Sequence, residues 1–136
     1  MSRRSRVFKL RLSPEGMDLL IAAHCHLIEC TRALLPWGTT LHVAVALLET
    51  IRAEHVLDTF RTVVGGPYSG SEEHHLGAPK GVNEAAARIA GMVADSSGGK
   101  LKPTISSVYI VALKQLCAAE PVTLRAILHL VRSSQN

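Results

Sequence analysis

Seven residues near the start decide most of what this chain is able to become. In the stretch RVFKLRLSPEGMDLL, Arg6 to Leu20, apolar and charged side chains alternate as far as Leu12 and then stop alternating. Period-two spacing predicts a strand over 6–12, with Phe8, Leu10 and Leu12 on one face and Val7, Lys9 and Arg11 on the other. Ser13 can cap a helix, Pro14 suits its first position, and Glu15 suits its positive end. The spacing after that is helical: Met17, Leu20, His24, Leu27, Thr31 and Leu34 form one stripe, with Ile21, Ile28 and Leu35 beside it. That helix is expected to run to about Leu35, where Pro36 stops it. A lone two-faced strand cannot stand by itself and needs an antiparallel partner.

A partner is suggested at the other end of the chain. KLKPTIS sets Leu101, Pro103 and Ile105 on one face and Lys100, Lys102 and Thr104 on the other. Ser106 follows as a cap, in the place that Ser13 takes after the first strand. A helix with Val108, Ala112, Leu113 and Leu116 is broken at Glu120-Pro121. Thr123 can then cap a final helix through Leu124, Ile127, Leu128 and Val131. Between the two ends, Gly38, Thr39 and Thr40 form a turn leading to a helix over about 40–57. It is apolar over more than half its girth and so expected to be central. Gly65 to Gly81 is rich in glycine, holds Pro67 and Pro79, and reads as a loop. Val82 to Asp95 returns to helix. Strand, helix, turn and helix thus recur, with Leu12 and Ile105 as equivalent points.

The expected fold class is therefore mainly α: a two-stranded antiparallel ribbon, 6–12 against 100–105, lying on a helical core. One domain of 136 residues accommodates it. Residues 1–5 form a basic arm, 6–57 a first unit, 58–99 a loop plus connecting helix, and 100–136 a second unit. Hydrophobic residues at 47% with aromatics at only 4% suit an aliphatic, helix-on-helix core.

Charge follows the same division. Residues 1–12 sum to +5 and 100–136 to +4, while 13–99 carry five bases against ten acids. Basic ends around an acidic middle suggest a localised face for a polyanion. A two-stranded ribbon fits the DNA major groove, where Lys and Arg donate to guanine O6 and N7. On that expectation Lys9, Arg11, Lys102 and Thr104 contact bases, and Lys100 contacts a base or a phosphate. Thr40 and Thr123, at helix starts, and the arm Arg3, Arg4 and Arg6 hold phosphates.

The run VFKLRLSPEGMDLL resembles the start of ribbon-helix-helix proteins, notably the Arc-type repressors. The resemblance implies that Val7, Lys9 and Arg11 face bases. It also implies that Gly38, Thr39 and Thr40 correspond to the family's turn and second-helix start, adding Thr39 to the phosphate contacts. Two copies in one chain resemble the tandem forms among conjugation and T-DNA transfer accessory proteins. That implies sequence-specific double-stranded DNA binding without catalysis or cofactor, as a monomer with an internal pseudo-two-fold that can dimerise further, and with a relaxase or other transfer proteins as possible partners. Transcriptional regulation is the alternative setting. The first helix is some two turns longer than the family's, Pro103 interrupts the second strand, and 60–99 has no counterpart.

Other chemistry finds less support. HCHLIEC, His24 to Cys30, puts His26 and Cys30 on one helix face with His42 as a candidate third, but the spacing completes no four-ligand set. Ser69, Ser71 and His74 lack the strand–turn–helix setting of a nucleophile. Three cysteines and no apolar leader suggest reduced thiols and a cytoplasmic protein. The longest uncharged stretch, Ala33 to Leu48, contains Pro36 and Gly38 and is too short to span a bilayer. The competing class is a helical protein–protein interaction module that binds no DNA.

Overall fold

The computed structural model describes residues 6–63, 66–70, 72–78 and 81–134; for residues 6–9, 74–78 and 134 it describes the backbone alone. The described elements run β1 (Arg6–Leu12), α1 (Pro14–Thr31), α2 (Trp37–Glu49), α3 (Ala53–Val63), β2 (Glu72–Ala78), α4 (Val82–Ser96), α5 (Ile105–Ala118) and α6 (Pro121–Ser134). Each strand is thus followed by three helices.

The β1–α1 junction forms as its residues dictate. Ser13 is the N-cap, with extended backbone, and its hydroxyl oxygen accepts from the Gly16 N–H at 3.0 Å. Pro14 opens the helix and Glu15 sits in its first turn. The helix ends earlier than its apolar stripe suggests. Arg32 adopts the left-handed conformation (φ 55°) and closes the last turn by donating its N–H to the Ile28 carbonyl at 2.8 Å. Four residues are then available to reverse the chain before α2, and Leu34 is left 94% exposed.

The helix expected over 40–57 is two helices. Its first part begins at Trp37, with Pro36 as N-cap. It ends at Glu49, where the Thr50 hydroxyl donates to the Leu47 carbonyl at 2.7 Å. Residues 50–52 turn the chain, and α3 packs inward through Val56, Leu57, Phe60 and Val63. The expectation that the apolar α2 is central holds. Leu41, Val43, Ala44, Val45, Leu47 and Leu48 are all buried, and α2 packs against α5, whose residues 108–113 are buried without a break.

The ribbon is the main correction. β1 pairs antiparallel with β2, in the register Lys9 with His75, Leu10 with His74 and Arg11 with Glu73. Residues 101–104 form no strand. Pro103 has no N–H to give a ladder. Thr104 is the N-cap of α5, and its Oγ1 accepts from the Ser107 N–H at 3.1 Å. The expected arrangement of two ribbon-helix-helix units, the second over 100–136, is therefore not what the chain forms. The partner strand arises in the segment read as a loop.

Packing between the two four-element stretches is reciprocal. The contact of α1 with α5 is matched by α2 with α4, that of α1 with α6 by α3 with α4, that of α2 with α6 by α3 with α5, and that of α2 with β2 by α5 with β1. The ribbon rests on the helices through Leu10 and Leu12, which are 0% and 1% exposed. Burying a leucine so completely is worth about 1.5–3 kcal/mol, enough to fix which face of β1 looks inward.

Candidate nucleic-acid interface

With Leu10 and Leu12 directed into the core, strand alternation turns Arg11 outward. Its side chain is 64% exposed. The guanidinium Nη2 lies 3.1 Å from Glu73 Oε2 on the neighbouring strand, and Glu73 is also on the surface. On its other edge β1 meets α5: the Arg11 N–H donates to Ser106 Oγ at 3.3 Å. A helix start thus covers part of an edge that would otherwise invite another strand. Ser106, expected as a cap, serves here as an acceptor for the ribbon, and Thr104 caps in its place.

Arg6, Val7 and Lys9 lie on β1, Lys9 two positions before Arg11 and opposite His75. Their side chains, and the whole of Arg3 and Arg4, lie outside the described residues.

The second set of expected base contacts is elsewhere than on the ribbon. Lys100 and Lys102 are exposed in the α4–α5 connection. With Thr104 and Ser107 they line a cleft of about 280 Å³ that is floored by Phe60 and Val63. Thr104 is exposed, but its oxygen is engaged as the α5 cap.

The expected phosphate contacts divide as well. Thr40 is fully buried, with its hydroxyl 2.6 Å from His24 Nδ1 and its N–H given to the Pro36 carbonyl, so it faces no solvent. Thr39 is half-buried and its N–H also donates to Pro36. Thr123 is exposed, as the third residue of α6; the carbonyl that receives the Leu124 N–H is that of Glu120. Sequence reasoning treats threonine before an apolar run as a cap, and here neither Thr40 nor Thr123 is one.

Two bases of the cationic C-terminal region are spent on the fold. Lys114 is half-buried, with Nζ 3.1 Å from the Tyr68 hydroxyl and 5.2 Å from that ring's centre. Arg125 donates to the Cys30 carbonyl at 3.2 Å. Among the described residues, the exposed cations left near the ribbon and the α5 start are Arg11, Lys100 and Lys102.

The histidines of α1 are structural. The His24 ring stacks on Trp37, centroids 4.0 Å apart, and burial lowers its pKa. His26 Nε2 lies 2.8 Å from the Ala119 carbonyl oxygen and its ring lies 3.7 Å from Cys30 Sγ, so the two do share a face. His42 is half-buried, its pKa lowered by desolvation and partly restored by the charge of Glu49. Among the described residues, no three His, Cys, Asp or Glu side chains come together in a way that holds a metal ion. No helix among them is long and apolar enough to cross a membrane.

Glu73 and Ser106 are the contributors to this surface that sequence reasoning missed. Glu73 belongs to a strand without apolar alternation. The signal available for it was the turn-rich PYSG run preceding a segment equal in length to β1.

Comparison with family models, with curated proteins and with solved structures finds no match to this chain.

Proposed function

We propose that this chain binds double-stranded DNA sequence-specifically, by laying the β1–β2 ribbon in the major groove. One observation carries the reading: Arg11 stands exposed on the outer face of a two-stranded antiparallel ribbon whose inner residues Leu10 and Leu12 are wholly buried. A ribbon of this kind has the width of the groove, and an arginine at its surface donates to guanine O6 and N7. Lys9 lies on the same strand, and the basic residues Arg3, Arg4 and Arg6 run into it, supplying further donors for bases and phosphates. Lys100 and Lys102, off the ribbon, are assigned to phosphates. The likeness of Val7–Leu20 is to the Arc-type repressors and suggests transcriptional control as the setting; plasmid or T-DNA transfer is the expectation from a second copy over 100–136, which the chain does not form.

The test is selection of bound sites from random duplex DNA, followed by a salt titration on the best site. The expected result is a discrete motif whose affinity falls by about 0.9 log units per log unit of salt for each phosphate neutralised. Binding without sequence preference, or none at low salt, overturns the proposal.

A second reading, a protein–protein interaction module, is favoured by Val122 and Leu130, which leave α6 with 64% and 61% of their surface exposed. Such an interface buries apolar area and responds little to salt, so the same titration separates the two readings.

A further inference from the structure

Glu73 is a carboxylate placed where a DNA-facing surface tolerates negative charge least. It stands opposite Arg11 in the register, its Oε2 is 3.1 Å from Arg11 Nη2, and both side chains reach the surface. An ion pair between partners this exposed adds little to stability, so ribbon stability alone is a weak reason for it. Against the phosphate backbone a carboxylate opposes binding to every sequence.

What such a group does well is discriminate. An ionised carboxylate only accepts hydrogen bonds. Facing base edges it accepts from the N4 amino group of cytosine, and it repels the acceptors O6 and N7 of guanine and O4 of thymine. Arg11 has the opposite character: it only donates, in a planar fork that fits guanine O6 and N7. The two groups are a single hydrogen bond apart, so they reach neighbouring base pairs.

We propose, resting on the ribbon reading above, that Glu73 is a specificity-determining residue acting with Arg11: Arg11 donates to a guanine while Glu73 accepts from the N4 of a cytosine beside it. The free protein holds the two side chains together. On the matching sequence each exchanges its partner for a base edge. Opposite guanine or thymine Glu73 faces only acceptors and penalises binding, which is selectivity obtained by repulsion as well as attraction.

The experiment is selection from random duplex DNA with the unsubstituted chain, Glu73→Gln and Arg11→Ala, each first checked for an unchanged circular dichroism spectrum. The unsubstituted chain is expected to select a motif in which the guanine read by Arg11 and the cytosine read by Glu73 belong to adjacent base pairs. With Glu73→Gln, preference for that cytosine over the other bases falls about tenfold or more and shifts toward adenine, which glutamine reads. Affinity for random duplex rises, because a like charge has gone. With Arg11→Ala the guanine preference goes instead. If the unsubstituted chain and Glu73→Gln select the same motif with the same discrimination, the role of Glu73 is overturned while the ribbon reading stands. If the unsubstituted chain selects no motif, the ribbon reading falls and this inference falls with it.

Discussion

The Ser13 N–H donates to the Tyr68 carbonyl at 3.0 Å, joining the first strand–helix junction to the turn that precedes the second strand. The Ser13 hydroxyl donates to the Pro67 carbonyl, and Leu12 forms a bridge with Ser69. The approach is closest at Gly16, where a Cβ atom would run into the Tyr68 carbonyl oxygen and press on the Leu12 side chain. Gly16→Ala is therefore expected to cost about 1–3 kcal/mol, as overpacking does. Gly91, within α4, has nothing within 4 Å of such a Cβ, and Gly91→Ala is expected to stabilise by about 0.5–1 kcal/mol through helix propensity. Urea denaturation of both variants checks the contrast; equal effects would mean that the junction is looser than its hydrogen bonds imply.

The contact of His24 with Thr40 and Trp37 predicts an acid-sensitive fold. Burial lowers the His24 pKa below its ordinary value of 6.5, so the folded chain binds fewer protons than the unfolded chain in the interval beneath that value. The contribution is complete above about pH 6.5 and is lost as pH falls through the folded-state pKa. His42 adds in the same direction, less the opposing effect of Glu49. Comparing urea midpoints at pH 7.5 and 5.5 for the parent and for His24→Phe isolates the first residue. The variant is expected to lose less stability on acidification, and fluorescence of Trp37, the single tryptophan, should follow the parent's transition.

How far the fold can be read in advance depends on whether an element is specified locally. β1 and its helix cap are, because Phe8-Lys9-Leu10-Arg11-Leu12 alternates and Ser13-Pro14-Glu15 ends the alternation. The start of α4 at Val82 and the central place of α2 follow from apolar spacing in the same way. β2 is not specified locally. Glu72, Glu73, His74 and His75 have no apolar alternation, and they form a strand because β1 offers an edge and because residues 67–69 are tied to residues 12 and 13. The stretch from Lys100 to Ile105 alternates well and is still no strand, since Pro103 lacks a donor and Thr104 satisfies the first turn of α5. Thr40 looks like a cap until the partner of its hydroxyl, sixteen residues upstream, is known. The basic ends were legible as charge, whereas the loss of Lys114 and Arg125 to internal bonds was not.

Tyr109 is a fully buried core residue that donates its hydroxyl to Asn83 Oδ1 at 2.8 Å, tying α5 to the first turn of α4. Tyr109→Phe removes that donor and is expected to cost about 1–2 kcal/mol. Burial, with the nearby charge of Glu84, pushes the phenol well above its ordinary value of 10.0. Folding then favours the protonated form, so this contribution is intact below about pH 10 and is lost as pH rises beyond it. The phenolate absorbance assigned to Tyr109, from the difference between parent and variant, should emerge only together with alkaline unfolding. Its appearance in the folded chain near pH 10 would contradict the burial.

Lys102 distinguishes the two basic regions functionally. It precedes the α5 cap in an exposed connection rather than in the ribbon, so under the proposed function it meets a phosphate and not a base. Lys102→Ala should weaken binding evenly across sequences and reduce the salt slope by about one, whereas Arg11→Ala should relax the choice of sequence at a cost of about 1–3 kcal/mol on the best site. Affinities of both variants for the selected duplex and for a scrambled one, at two salt concentrations, separate these effects. A change of sequence preference in Lys102→Ala would place the α4–α5 connection at the base edges, and the ribbon would no longer be the reader.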